Sequence, residues 1–248
     1  MRRPIAASAV TATAAEPAAA SADAVERLIQ DEGPETVAAF IAEPVTGAAN
    51  AAASPHDGYF ERIREICDEY DVLFIVDEVM AGFGRTGENF AIEHWDVTPD
   101  IITGAKGMSG GYSPIGGTMP HRRVTEVFED VEDGFQHGHT FCFNPASAAI
   151  GTAVLEYMDE HNLVSNAREV GAYLRERCEE FYEYEFVGDV RGKGLMLGVE
   201  FVGDRETKEP LPRRAASSSR CCSRRDWTTV SSPIRAAATS TASTGTTP

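Results

Sequence analysis

Three short stretches, VAAFIAEPV (37–45), VLFIVDEV (72–79) and DIITGAK (100–106), are continuous apolar runs rather than alternating ones. A strand covered on both faces has that pattern, so each reads as a buried strand of a parallel sheet. Between the first two lies GYFERIREICDEY, in which Phe60, Ile63, Ile66 and Cys67 recur at helical spacing. That is one amphipathic stripe. Strand, helix and strand in this order form a right-handed crossover unit, which predicts an α/β chain with a mainly parallel sheet and helices on its faces.

Each run ends in a charged group: Glu43 on the first, Asp77 with Glu78 on the second, Lys106 on the third. Polar loops after strands account for any one of these, but poorly for three abrupt switches in succession. In open parallel sheets the crevice beyond the carboxyl ends of the strands is where ligands sit, so the three groups are expected to converge. A lysine at such an edge in apolar surroundings loses solvation of its charged form, which frees an amine nucleophile. A carboxylate on a neighbouring strand is the partner expected of a pyridoxal 5'-phosphate site, where it keeps the ring nitrogen protonated and the ring an electron sink. The glycines around Lys106 are expected to let backbone approach a flat cofactor.

Two other patterns carry less. GFGRTG (82–87) matches the dinucleotide fingerprint, yet only the short ENFAIEHWDV follows where that fingerprint should open a long helix. His137 and His139 in HGHTFCFNP form an HxH pair, but no further ligand cluster lies near them in sequence, so no metal site is expected. Gly138, Thr140 and Asn144, before a helix starting near Pro145, suit an anion such as phosphate instead. Phe141 and Phe143 read as core aromatics.

Composition narrows the class of partner. A formal net charge of −17 argues against nucleic acid, whose binding surfaces are basic, and fits an acidic surface tolerated in a salt-rich, halophilic cytoplasm. Five cysteines form no CxxC pair, which reads as reduced thiols in a cytoplasmic protein. No apolar run approaches the length needed to span a bilayer, and the Ala-rich start is too sparse in large aliphatics for an export signal.

The composition changes twice along the chain. Residues 1–22 are mostly Ala, Thr, Ser and Pro without apolar period, and are expected to be disordered. Residues 23–160 carry the strands, and 161–212 open a smaller unit in which VGDVRGKGLMLGVEFV suggests two short strands. The 160–162 region is also where the long helical stretch after Asn144 is expected to break, near Asn162. From 213 to 248 several arginines and one acid, Asp226, replace the acidic pattern, as expected of a disordered tail or of a gene read out of frame.

FIAEPV, VLFIVDEVMAGFGRTG, PDIITGAKGMSGGYSPIGG, GHTFCFNPASAAIGTAVLEYM and VGDVRGKGLMLGVEF, in this order, resemble the class III pyridoxal-phosphate-dependent aminotransferases over about residues 24–212. The resemblance implies a partial type I transferase fold, with the start of a small C-terminal α+β domain. It implies that Lys106 is the Schiff-base lysine and proton-moving base, Asp77 the partner of the ring nitrogen, and Val79 a contact on the ring face. Thr140 is implied to bind the cofactor phosphate of the other subunit in a homodimer. The implied reaction passes an amino group from an amino acid or amine to a keto acid. Ala48 stands where many members that use 2-oxoglutarate carry glutamate, which leans toward the omega-amino-acid or amine:pyruvate type.

The family's long front half, with its phosphate loop and ring-stacking aromatic, is not found before FIAEPV, and the suspect tail stands where its C-terminal domain continues. A truncated, impaired enzyme is therefore expected. The alternatives are a non-catalytic remnant or interaction fragment, and an aminomutase or decarboxylase of the same family.

Overall fold

The computed structural model describes residues 18–129, 131 and 134–211. The chain start up to residue 17 and the tail from residue 212, with its expected change of frame, lie outside the described residues. Helix α1 (Ala18–Glu32) begins inside the stretch expected to lack structure. Strand β1 (Ala39–Ala42), helix α2 (Tyr59–Glu69), strand β2 (Leu73–Asp77) and strand β3 (Ile101–Gly104) then form the expected crossover sequence.

The sheet order is β1-β2-β3-β4, with β1, β2 and β3 parallel and β4 (Gly117–Pro120) antiparallel to β3. β4 was not expected: four residues bounded by glycine and proline carry no apolar period. Its ladder pairs Ile101 with Pro120 and Gly104 with Gly117, so it runs back from the chemical end of β3.

Phe60, Ile63, Ile66 and Cys67, the stripe read from α2, are all buried. They join Ala22 and Ile29 of α1, Phe74 and Val76 of β2, and Ala91, Ile92 and Trp95 of a short 3-10 helix in one core. Phe60 stacks on Phe74 at 5.9 Å between ring centroids and meets Trp95 edge-on at 5.0 Å. Fully burying such a side chain is worth about 1.5–3 kcal/mol, which makes this face the main source of tertiary stability.

The other face differs from expectation. Buried residues alternate along β2, with Phe74 and Val76 covered and Leu73, Ile75 and Asp77 half-buried. Ile41, which shares a register row with Ile75 and Ile101, is 58% exposed. The three apolar runs are thus strands, but among the described residues only one face is fully covered, because the core cluster lies on the Phe74 side alone.

At the amino end of the sheet the buried carboxylate of Asp100 accepts from the Phe74 N–H at 2.7 Å and from Arg64 at 2.9 Å, and also pairs with Arg123. Burial alone would raise its pKa, but the bonds from Arg123, the Phe74 N–H and Arg64 outweigh it and hold the acid below its ordinary value. This latch ties β2, β3, α2 and α3 (Arg122–Thr125) together.

Helices α4 (Pro145–Glu160) and α5 (Leu163–Glu179) meet at Asn162, whose φ of 51° is left-handed, so the helical stretch breaks where expected. Strands β5 (Val187–Lys193) and β6 (Met196–Phe201) form a two-stranded sheet. The chain divides into two compact units, Met1–Glu180 with Val190–Val199 and Phe181–Asp189 with Glu200–Pro248, so α5 belongs to the first. No helix among the described residues is long and apolar enough to cross a membrane.

Candidate active site

The carboxyl ends of three adjacent parallel strands carry the polar groups. Ala42 pairs with Val76 and Asp77 with Thr103, so Glu43 follows β1 one position beyond the ladder, next to Asp77. Glu43 is spent locally: its Oε2 accepts the Gly47 N–H at 2.8 Å and closes the turn after β1. Asp77 stands on the half-covered face, and its Oδ1 accepts the Val79 N–H at 3.0 Å. Its second oxygen has no partner among the described residues.

Lys106 opens a 3-10 turn two residues past β3. Its φ of 42° is left-handed, a conformation that costs a non-glycine residue on the order of 1–3 kcal/mol and that the fold must hold against relaxation. The side chain is exposed, and its amine has no ion pair or hydrogen bond among the described residues. It lines a cavity of about 1170 Å3 together with Met80, Phe83, Arg85, Tyr157 and Leu197.

The glycines beside Lys106 have a different occupant from the one expected. A Cβ at Gly104 would stand 2.8 Å from the Phe83 ring, and one at Gly107 would stand 3.0 Å from the Phe83 Cβ. Phe83 therefore lies on the backbone that carries the lysine, itself at a left-handed φ of 57° and edge-on to Phe90 at 5.5 Å. Sequence reasoning set aside GFGRTG once the dinucleotide match failed; the aromatic between two glycines after a charged strand end was the signal that could have found it. Arg168 of α5 holds the same loop, donating to the Gly87 carbonyl at 2.7 Å and to Glu88 at 2.9 Å.

Glu78, next to Asp77 on the opposite face, is fully buried. Burial pushes its carboxyl up to about 7, against the pull of the Ile92 and Ala91 N–H groups and with a further push from Glu93 and Asp77.

Val79 is half-buried two residues beyond Asp77. Thr140 is exposed in the segment before α4 and is not among the residues lining the Lys106 cavity. At the start of α4, Asn144 Oδ1 accepts the N–H groups of Ala146 and Ser147 and caps the helix. Phe141 and Phe143, read as core, are 84% and 95% exposed. They flank the exposed Cys142 in a turn. No group of three or more His, Cys, Asp or Glu that could hold a metal occurs among the described residues.

An unpaired amine and a half-free carboxylate, presented from neighbouring parallel strands, fit the aldehyde and ring-nitrogen side of pyridoxal phosphate, and the architecture is that of a partial type I pyridoxal-phosphate-dependent transferase. Residues 3–222 match the family described as Aminotransferase class-III, and the chain belongs to that family. It is 42% identical over 197 residues to the uncharacterized aminotransferase YodT of Bacillus subtilis, covering 79% of this chain and 44% of that protein. With the probable aminotransferase Rv3329 of Mycobacterium tuberculosis it shares 45% over 189 residues, covering 76% and 40%. Among solved structures, an (S)-enantioselective omega-transaminase from Thermomicrobium roseum superposes with a TM-score of 0.76 at 41% identity, over 79% of this chain and 44% of that one. The taurine:2-oxoglutarate aminotransferase of Bifidobacterium kashiwanohense, solved with PLP and glutamate, gives 0.74 at 37% identity over 78% and 43%. The chain thus spans less than half the length of these relatives.

Proposed function

We propose that the chain carries the lysine and aspartate side of a class III aminotransferase site, serving amino-group transfer from an amino acid or amine to a keto acid. The observation that carries this is Lys106: a strained, unpaired lysine at the end of a parallel strand, one strand from the Asp77 carboxylate. Lys106 would hold pyridoxal phosphate through its amine, Asp77 would hydrogen-bond the ring nitrogen, and Val79 would pack on the ring. When bound, the cofactor supplies an electron sink for the bond broken beside the substrate nitrogen. Released when the substrate amine takes its place, the Lys106 amine would take the proton from the substrate carbon and deliver it to the cofactor carbon. Donor C–N becomes C=O and acceptor C=O becomes C–N, so no external oxidant is needed.

A homodimer is part of the proposal. The exposed Thr140, followed by exposed Phe141 and Phe143, supports a role for this segment against a second copy, where Thr140 would reach that copy's phosphate. The omega-amino-acid or amine:pyruvate type is favoured by Ala48 and by the likeness to an omega-transaminase. The net charge of −17 supports a salt-rich cytoplasmic setting, and unfolding midpoints are expected to rise as added KCl screens self-repulsion.

The first experiment mixes the full chain with pyridoxal phosphate, reduces with borohydride and locates the modified lysine by mass spectrometry, with Lys106→Ala as control. Labelling confined to Lys106 and absent from the variant supports the reading; scattered labelling that the variant does not change sinks it.

A further inference from the structure

Glu78 is a fully buried acid that the amino-transfer chemistry does not use. Its Oε1 accepts the Ile92 N–H at 2.8 Å, while its Oε2 is buried and has no partner among the described residues. A carboxylate there would be compensated only by the Ile92 and Ala91 N–H groups in a site closed to water, whereas the protonated acid leaves a single O–H. The charged groups that act on it, Glu93 in the 3-10 helix Ala91–Trp95 and Asp77 at the end of β2, are both negative and favour the proton further.

The same residue brackets the loop that reaches Lys106, through its main-chain carbonyl at one end and its carboxyl at the other. The Glu78 carbonyl accepts the Gly82 N–H at 3.0 Å, and a Cβ at Gly82 would stand 3.3 Å from Oε2, so Gly82 folds back onto the acid. At the far end of the segment the bond to Ile92 pins its return. Between these two points Phe83 projects onto Gly104 and Gly107, on either side of the strained Lys106.

We propose that Glu78 is a positioning residue for Lys106: as a neutral acid it clamps residues 79–92, so that Phe83 bears on the glycines that set the lysine backbone. This rests on Lys106 being the cofactor lysine. Ionising Glu78 would strengthen its bond to the Ile92 N–H but leave a desolvated charge beside Glu93 and Asp77, and that net cost destabilises the clamp. The folded pKa of about 7 lies above the ordinary glutamate value, so the folded chain keeps a proton that the unfolded chain has lost. The stabilising contribution is complete below the ordinary value and disappears as pH rises through about 7.

The test uses the full-length chain, Glu78→Gln, Glu78→Ala and Phe83→Leu, with Lys106→Ala as the labelling control. Urea midpoints without cofactor, between pH 5 and 8.5, should fall with pH in the native sequence and lose that component in Glu78→Gln. Selective borohydride labelling at Lys106 should drop about 10- to 100-fold in Glu78→Ala and fall in Phe83→Leu. It should be rescued in Glu78→Gln, whose advantage over the native sequence grows above pH 7. Parallel pH profiles for the native chain and Glu78→Gln overturn the neutral acid; native-level labelling in a folded Glu78→Ala overturns the clamp. Labelling that ignores Lys106→Ala overturns the cofactor assignment and the positioning role with it, while the midpoints still decide whether Glu78 holds its proton.

Discussion

The two faces of β2 show what divides a scaffold from a site. Phe74, Val76 and Glu78 point into the core formed with α1 and α2, whereas Ile75 and Asp77, one residue out of phase, share a half-open face with the 58% exposed Ile41. A period of two separates groups that must be kept dry from groups that must be reachable. Asp77 and Glu78 are adjacent acids with opposite surroundings for that reason: one is half-buried, the other is stripped of water.

Truncation experiments would break this comparison if the faces are energetically alike. The largest effect is expected from Phe74→Ala, which removes a ring packed on Phe60 and should cost about 3–5 kcal/mol by urea unfolding. Asp100→Asn comes next, at about 1.5–3 kcal/mol, because it weakens a latch that joins the Phe74 N–H, Arg64 and Arg123. The Asp100 pKa is depressed, so its contribution is present above the ordinary aspartate value and is lost as pH falls through the lower folded value. The native chain should therefore lose stability at the acid end in a way the Asn variant does not. Glu78 acts at the opposite end of the scale, losing its contribution as pH rises through about 7. Ile41→Ala, on the open face, should cost no more than about 0.5–1 kcal/mol, and a cost equal to that of Phe74→Ala would mean that both faces are covered in solution.

Much of this was legible beforehand, for a physical reason. Apolar runs ending in charge, a helical stripe of Phe60, Ile63, Ile66 and Cys67, and an asparagine at a helix break are local patterns, and local patterns survive folding. Lys106 and Asp77 were marked by where they fall relative to strand ends. β4 was missed because its pairing partner, β3, supplies what its own residues lack. Phe141 and Phe143 were misjudged because apolar character states a preference for burial, not the presence of something to be buried against.

Phe83 and Glu78 belong to that second kind. The sequence by itself determined that a parallel sheet would form, that Lys106 and Asp77 would stand at the ends of its strands, and which family those strands belong to. Only the tertiary structure decided that Phe83 would occupy the space left by Gly104 and Gly107, and that Glu78 would be sealed behind Asp77 with one oxygen unmatched. Chain order and periodicity place residues along an element, but which atoms exclude water from which others depends on the elements packed across from them, and no local pattern encodes that.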